Sequence, residues 1–176
     1  KIRPYPIGFD LHTRRNSLTT PDKILQAMKN RENTEKVLKI FCDISVNSND
    51  RFGGQRKLVA RIVKKLDYVD TIKSRVTRQQ VWELYARYEF VVSPPGNGRD
   101  CHRTWEVLAL GSIPIVMTSK FDSLFDDLPV IILSNWHELE NANLKKWLDK
   151  VKDKREFVQE KMVKKTYPWI KKYEVV

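Results

Sequence analysis

A strand, a loop and a helix in the middle of the chain carry residue types that could bind a phosphate. A β-rich run at residues 90–93 leads into the loop 94–98, which holds two prolines and two glycines, and a helical pattern follows at 101–110. Glycine allows a ligand to approach the backbone closely. The first turn of a helix also offers unpaired N–H groups and the positive end of the helix dipole. The segment therefore predicts an anion-binding site before any side chain is considered.

Two charged side chains on this helix extend the prediction from an anion to a nucleotide. Arg103 falls in the first turn, where its guanidinium can hold two phosphate oxygens. Glu106 follows one turn later, about 4.5 Å along the axis, where its carboxylate can accept hydrogen bonds from both ribose hydroxyls. His102 shares a face with Glu106 and can donate to a phosphate or to a sugar. Four residues of the strand end and the loop complete the expected site: Ser93, Gly96, Asn97 and Gly98.

A surface ion pair is the alternative interpretation of Arg103 and Glu106. Residues three apart face each other on a helix, and such pairs are common on solvated helices. The glycine loop before the helix favours a binding site instead. The loop is not a Walker A sequence, since no Gly-Lys-Ser/Thr follows it, and it is not a Gly-x-Gly-x-x-Gly fingerprint.

The elements that would position this helix alternate between strand and helix along the chain. Strands are predicted at residues 37–42, 69–75, 90–93, 113–117 and 130–133. Helices are predicted from the cap Thr20-Pro21-Asp22, at 58–66, from the capping box of Thr77 and Gln80 to 88, at 101–110 and at 144–151. This alternation predicts an α/β fold with a three-layer, Rossmann-like parallel sheet flanked by helices. In such sheets ligands bind beyond the carboxyl ends of the strands.

Bulk composition narrows the class of protein and of partner. With 176 residues, 41% of them hydrophobic, the chain can bury one ordinary core, and its net charge of +11 favours an anionic partner. Nucleic acid, a membrane surface and a diphosphate-bearing substrate are the candidates. No apolar run approaches the roughly 20 residues of a membrane span, so we expect no transmembrane segment. The two cysteines, Cys42 and Cys101, cannot form a metal cluster by themselves.

The stretch from Ser93 to Val116 resembles the signature of exostosin-like glycosyltransferases. Those proteins carry an Arg-x-x-Glu helix followed by Gly-Cys-Ile-Pro-Val or a close variant. The matching residues here are Arg103, Glu106, Gly111, Ile113 and Pro114, and Ser112 stands in place of the usual cysteine. The resemblance implies a GT-B fold, a UDP-sugar donor and inverting transfer to a glycan hydroxyl. It also implies no cofactor and no metal, and the sequence has no Asp-x-Asp motif.

The start of the chain is similar to the loop at which GT-B chains pass from the acceptor domain to the donor domain. We therefore expect residues 1–20 to be linker-like, residues 21–176 to form the donor domain, and an acceptor domain to precede residue 1. Asp10 and His12 would then lie at the cleft between domains and could help to bind the acceptor or the sugar. Inversion requires a general base near the acceptor hydroxyl, and one of them or the preceding acceptor domain could equally supply it. Arg103 would stabilise the charge of the leaving diphosphate. The lack of an Asn-x-Ser/Thr sequon slightly favours the cytoplasm, and the Golgi lumen stays open if a membrane anchor has been removed.

Further donor contacts are expected in the loops after the first two strands. Arg51 and Arg56 flank a glycine pair after the first strand and could face the diphosphate, although a solvated helix start explains them nearly as well. Arg75 and Val76 end the second strand, where backbone groups could read the uracil edge. Two other functions remain open: a non-catalytic nucleotide-binding module, and a basic nucleic-acid-binding domain. The second lacks any recognised motif, so we expect no nucleic-acid partner.

Overall fold

A five-stranded, wholly parallel sheet forms the centre of the molecule. The computed structural model describes residues 6–8, 20–31, 34–46, 51, 52, 54–74 and 76–164. The strands are β1 (Val37–Cys42), β2 (Val69–Thr71), β3 (Tyr88–Val92), β4 (Ile113–Met117) and β5 (Ile131–Leu133). The helices are α1 (Thr20–Asn30), α2 (Gln55–Val63), α3 (Arg78–Arg87), α4 (His102–Ala109) and α5 (Leu144–Lys164), with short 3₁₀ turns at Asp122–Phe125 and Trp136–Asn141.

Helices cover both faces of the sheet, because neighbouring residues on each strand point to opposite sides. Phe41 and Val91 pack with residues of α1, α3 and α4 in one core cluster. Phe90 and Val92 pack with residues of α2, α5 and the 3₁₀ turn Trp136–Asn141 in a second cluster. The fold is therefore the three-layer, Rossmann-like α/β arrangement that the sequence predicts.

The strand order is β2-β1-β3-β4-β5, and this order fixes where a ligand site is expected. The chain first moves from β1 outward to β2, and then crosses back to place β3 on the other side of β1. The loops that follow β1 and β3 therefore separate at a topological switch point and leave a crevice at the carboxyl ends of the strands. We call this side of the sheet the carboxyl edge, and the opposite side the amino edge.

Most element boundaries agree with the sequence, and the differences are local. β1 and β4 have the predicted bounds, and the capping box of Thr77 and Gln80 is formed with both of its hydrogen bonds. β2 stops at Thr71, short of the predicted residue 75, and Tyr88 begins β3 instead of ending α3. Both strand differences arise where pairing with β1 decides the extent of a strand that propensity alone leaves open.

Within the described part of the chain, no helix combines the length and the apolar character that crossing a bilayer would require.

Candidate functional site

Two helices begin at the switch point, and neither has a side-chain cap. Gly54 precedes α2 with a positive φ of 75°, which suits glycine, and Cys101 precedes α4; neither forms a capping hydrogen bond. By contrast α3, which follows β2, is closed by the full capping box of Thr77. The open N-termini of α2 and α4 thus present free N–H groups and positive dipole ends at one crevice. No acidic residue lies in the first turn of either helix.

The loop between β3 and α4 keeps a fixed shape while leaving amides unpaired. The Gly96 N–H donates to the Gly98 carbonyl at 3.0 Å, so that amide is engaged and unavailable to a ligand. Among the described residues, the N–H groups of Asn97, Gly98 and Arg99 meet no acceptor. Gly96 is buried, whereas Asn97 and Gly98 are exposed. Asn97 and Gly98 can therefore offer backbone N–H groups to an anion, as the sequence suggests, but Gly96 contributes shape.

Arg56 links the two loops of the switch point. It lies in the first turn of α2, and its Nε donates to the Pro95 carbonyl at 2.8 Å, while its Nη1 lies 3.5 Å from the Ser45 carbonyl. A Cβ added at Gly96 would come within 2.8 Å of Arg56 Nη2, so glycine is required for this close approach. The structure thus brings Arg56 against the glycine loop. Arg51 lies exposed in the same β1–α2 connection.

Arg103 is held by two side chains from other elements. Its Nε lies 3.0 Å from Oδ1 of Asp43, which follows β1, and 3.0 Å from the Tyr85 hydroxyl of α3. Tyr85 in turn donates to Asp43 Oδ2 at 2.8 Å. The Arg103 side chain is only 15% exposed and that of Asp43 only 6%. Among the described residues, Nη1 of Arg103 donates to no acceptor, so one edge of the guanidinium remains for a ligand.

The charges around Arg103 keep it protonated. Burial alone lowers the pKa of an arginine, but Tyr85 and Asp43 outweigh it and raise the pKa of Arg103 above its ordinary value. Burial also raises the pKa of Tyr85, so the phenol stays neutral and can donate to Asp43. Arg103 is therefore a cation whose orientation is fixed by the neutral Tyr85 hydroxyl and the Asp43 carboxylate.

Glu106 pairs with a different residue, and one of its buried carboxylate oxygens has no hydrogen-bond partner. Its side chain is 0% exposed, and Oε1 pairs with Nη2 of Arg78, the first residue of α3. The guanidinium of Arg78 also lies over the Trp82 ring, with its carbon 5.7 Å from the ring centroid. Oε2 of Glu106 has no hydrogen-bond partner. Arg103 and Glu106 are therefore buried groups with separate partners, and the alternative of a solvated i,i+3 pair is wrong.

Four buried side-chain atoms in the described residues lack a well-formed hydrogen bond, and two of these still have an ionic partner. Asp43 Oδ1 lies 3.0 Å from Arg103 Nε, and Glu89 Oε2 lies 2.7 Å from Arg155 Nη1. Glu106 Oε2 and the Trp82 indole nitrogen have none. A buried carboxylate oxygen without a donor costs about 1–3 kcal/mol, so Glu106 Oε2 is an acceptor that the described residues leave unsatisfied.

The described N-terminal residues 6–8 lie against the start of α4. The Ile7 N–H donates to Asp100 Oδ2 at 2.7 Å, and His102 Nδ1 lies 2.8 Å from the Gly8 carbonyl. A carbonyl can only accept, so Nδ1 of His102 is the donor in this contact. The segment that resembles an interdomain loop therefore contacts the helix that carries Arg103.

The remaining predicted residues have varied surroundings. Ser93 is buried, and its hydroxyl bonds that of Thr104 at 2.9 Å, which ties the end of β3 to α4. Val76 packs against the core cluster that contains Phe41. Asp10, His12 and Arg75 lie outside the described residues.

Three residues of the site escaped the sequence interpretation: Asp43, Tyr85 and Arg78. Asp43 directly follows a buried strand, and that position alone could have indicated it. Tyr85 lies on α3, and its hydroxyl contacts Asp43 and Arg103, which are 42 and 18 residues away in sequence. Arg78 carried no signal beyond its place at a helix start.

Two cavities lie away from these residues. One of about 450 Å³ runs between α1 and α3 and includes Trp82, and an open one of about 530 Å³ lies over the outer side of α2. Neither is lined by Arg103, Glu106 or the glycine loop. The unpaired polar groups define the candidate site, because a ligand with complementary donors and acceptors could bind to them. No cluster of three or more potential metal ligands occurs in the described residues.

Comparison with known proteins gave no match, either to a family model or to a curated sequence. The fold and the geometry of the site therefore carry the functional argument.

Proposed function

We propose that this domain binds the nucleoside diphosphate of a UDP-sugar at the switch point and serves an inverting glycosyltransferase that acts on a glycan hydroxyl. The observation that carries the proposal is the pairing of an open anion site with a buried carboxylate that lacks a donor. The first suits a diphosphate and the second suits a ribose. The resemblance of residues 93–116 to exostosin-like enzymes supplies the choice of uridine and of inversion.

The anion side of the proposal rests on two uncapped helices and two arginines. The N-termini of α2 and α4 face the same crevice, with Arg56 against the glycine loop and Arg103 behind it. Helix N-termini and arginines both favour phosphate. A diphosphate carries more negative charge than one arginine neutralises. The dipoles of α2 and α4 and the guanidinium groups of Arg56 and Arg103 would neutralise it together, without a metal.

The nucleoside side rests on Glu106. Its Oε2 is buried and unpartnered, and a ribose hydroxyl is a donor of the right kind. Glu106 lies one turn from Arg103 on α4, so a ligand that reaches both spans about 4.5 Å of helix. That separation suits the step from a diphosphate to its ribose.

Sugar transfer would use the same groups to stabilise charge on the leaving UDP. As the bond between the sugar and the diphosphate breaks, negative charge grows on the diphosphate, and Arg103 is already fixed and protonated to receive it. A general base must take the proton of the acceptor hydroxyl. Asp10 and His12 are the candidates from the sequence.

Calorimetric titration tests the proposal. We expect selective binding of UDP over GDP and AMP in moderate salt, and a loss of roughly 100-fold in affinity in Arg103→Ala, because a charge-assisted hydrogen bond contributes about 1.5–3 kcal/mol. Arg87→Ala is the matched control, since it removes the same charge from the exposed far end of α3.

The outcomes separate the candidate functions. Equal or absent binding of UDP, GDP and AMP would contradict the proposal. UDP binding without sugar transfer or donor hydrolysis, even with an acceptor domain supplied, would instead indicate a non-catalytic nucleotide-binding module.

A further inference from the structure

Arg78 occupies a fixed position next to the proposed nucleotide site. It is the first residue of α3, and the capping box of Thr77 and Gln80 sets the direction of that helix start. The Thr77 side chain accepts from the Gln80 N–H, and the Gln80 side chain accepts from the Thr77 N–H. The capping box therefore fixes the backbone position from which the Arg78 side chain extends.

The guanidinium of Arg78 lies between a buried carboxylate and an aromatic ring, yet it reaches solvent. Nη2 pairs with Glu106 Oε1, and the guanidinium carbon lies 5.7 Å from the centroid of Trp82. The Arg78 side chain is 43% exposed, whereas Glu106 is 0% exposed and Trp82 is 1% exposed. Arg78 is therefore the solvent-exposed member of this group of three.

A planar guanidinium with an exposed surface suits a nucleobase. Bases stack on guanidinium planes as well as on aromatic rings, and a cation over a ring gains further from the ring quadrupole. Trp82 is buried and cannot present its own face, whereas the Arg78 guanidinium beside it is partly exposed and can stack on a base. Lysine carries the same charge without the plane.

We propose that Arg78 binds the nucleobase of the nucleotide by stacking, while Glu106 Oε1 holds the guanidinium and Glu106 Oε2 accepts a ribose hydroxyl. The inference rests on the proposed function and deepens it. It divides the ligand into two parts: the diphosphate belongs to the loops before α2 and α4, and the nucleoside belongs to Arg78 and Glu106.

A purely structural role for Arg78 makes a different prediction. If Arg78 only neutralises Glu106, then Arg78→Lys preserves the ion pair and leaves UDP affinity unchanged. If Arg78 stacks on the base, the same substitution preserves folding and weakens the binding of UDP. Inorganic pyrophosphate, which has no base, tells the two ends of the site apart.

The experiment is calorimetric titration of wild type, Arg78→Lys and the control Arg87→Lys with UDP and with pyrophosphate. The thermal unfolding midpoint of each variant is measured on a separate sample to check that the variant is folded. Arg87→Lys makes the same substitution at the other end of α3. We expect Arg78→Lys to bind UDP about 10-fold more weakly, because the stacking of the base on the guanidinium plane is lost. Its affinity for pyrophosphate and its unfolding midpoint should match those of wild type. Arg87→Lys should change neither affinity.

Several results would overturn the inference. Unchanged UDP affinity in Arg78→Lys, or an equal loss for UDP and pyrophosphate, would show that Arg78 does not contact the base. Should Arg78→Lys fail to fold, Arg78→Gln keeps a donor for Glu106 Oε1, and the same comparison of UDP with pyrophosphate applies to it. Failure of wild type to bind UDP at all would contradict the proposed function itself, a result distinct from failure of the Arg78 variants alone.

Discussion

The two edges of the sheet both hold buried charges, but they treat them differently. At the amino edge, Lys36 donates to the Ala86 carbonyl at 2.6 Å and to the Ser112 hydroxyl at 2.7 Å. Ser112 Oγ lies within hydrogen-bond distance of two more carbonyls at the end of α3. Glu89 pairs with Arg155 at 2.7 Å. Each of these three charged groups, Lys36, Glu89 and Arg155, thus has a partner among the described residues.

At the carboxyl edge the same kinds of group are left incomplete. Glu106 has one oxygen without a donor, Arg103 has a nitrogen that bonds no described residue, and two helices start without side-chain caps. Burial of polar groups costs free energy unless they are paired. The buried charged groups named at the amino edge are paired within the chain, whereas those at the carboxyl edge are left partly unpaired. This contrast indicates that the carboxyl edge is arranged for a ligand.

The largest effect that would separate the edges is expected for Arg155→Met. Arg155 and Glu89 are 18% and 13% exposed, and removing one member of such a pair leaves an unpaired charge, at a cost of about 3 kcal/mol. Urea unfolding followed by tryptophan fluorescence measures the loss of stability. UDP affinity of the folded fraction should stay at the wild-type value. Stability near that of wild type, or a large loss of UDP affinity, would break the distinction between the edges.

A smaller effect is expected for Gly96→Ala at the carboxyl edge. The new Cβ would lie 2.8 Å from Arg56 Nη2, so the guanidinium must leave its place against the loop. We expect UDP affinity to fall about 10-fold, which is roughly one charge-assisted hydrogen bond. In an Arg56→Ala background the same substitution meets no guanidinium and should have little further effect. Additive losses in the double variant would show that Arg56 is not the reason for the glycine.

The amino edge should respond to pH. The pKa of Lys36 is lowered to about 7, chiefly by burial; Arg155 and Arg31 add to the lowering, and Glu89 opposes it. Unfolded lysine titrates near 10.5, so between pH 7 and 10 the unfolded state binds more protons than the folded state. Stability should therefore rise with pH from about 7 upward, with a slope approaching about 1.4 kcal/mol per pH unit.

Denaturant unfolding at several values between pH 6.5 and 8.5 measures this slope. Lys36→Met should remove it, because the variant has no proton to exchange at that position. Equal slopes in the two proteins would show that another group is responsible. The window stops at 8.5 because burial also raises the pKa of Cys42, to about 11, which acts in the opposite direction at higher pH.

Much of the fold is readable from the sequence because it depends on local patterns. The run Val37–Cys42 is apolar except for Lys39, as is typical of a strand in a parallel sheet, and the capping box fixes the start of α3. The glycine loop and the helix carrying Arg103 follow each other in sequence, so their association needed no tertiary information. The sequence also predicts the parallel sheet, and hence the edge at which ligands bind.

The partners of the site residues are not readable in the same way. Asp43 lies 60 residues from Arg103, and Arg78 lies 28 residues from Glu106, so only the folded chain brings them together. Helical spacing suggests that Arg103 and Glu106 pair with each other, whereas both turn to neighbouring elements. Burial of Glu106 is also a tertiary property, because it depends on how α3 and α4 pack.

Two buried glutamates should differ most directly in their effect on nucleotide binding. Glu106 and Glu89 each pair with one arginine, but they lie at opposite edges of the sheet. Titration of Glu106→Gln and Glu89→Gln with UDP compares them under identical chemistry. We expect UDP affinity to fall about 10-fold or more in Glu106→Gln and to stay at the wild-type value in Glu89→Gln. Equal affinities in the two variants would contradict a nucleotide site at the carboxyl edge.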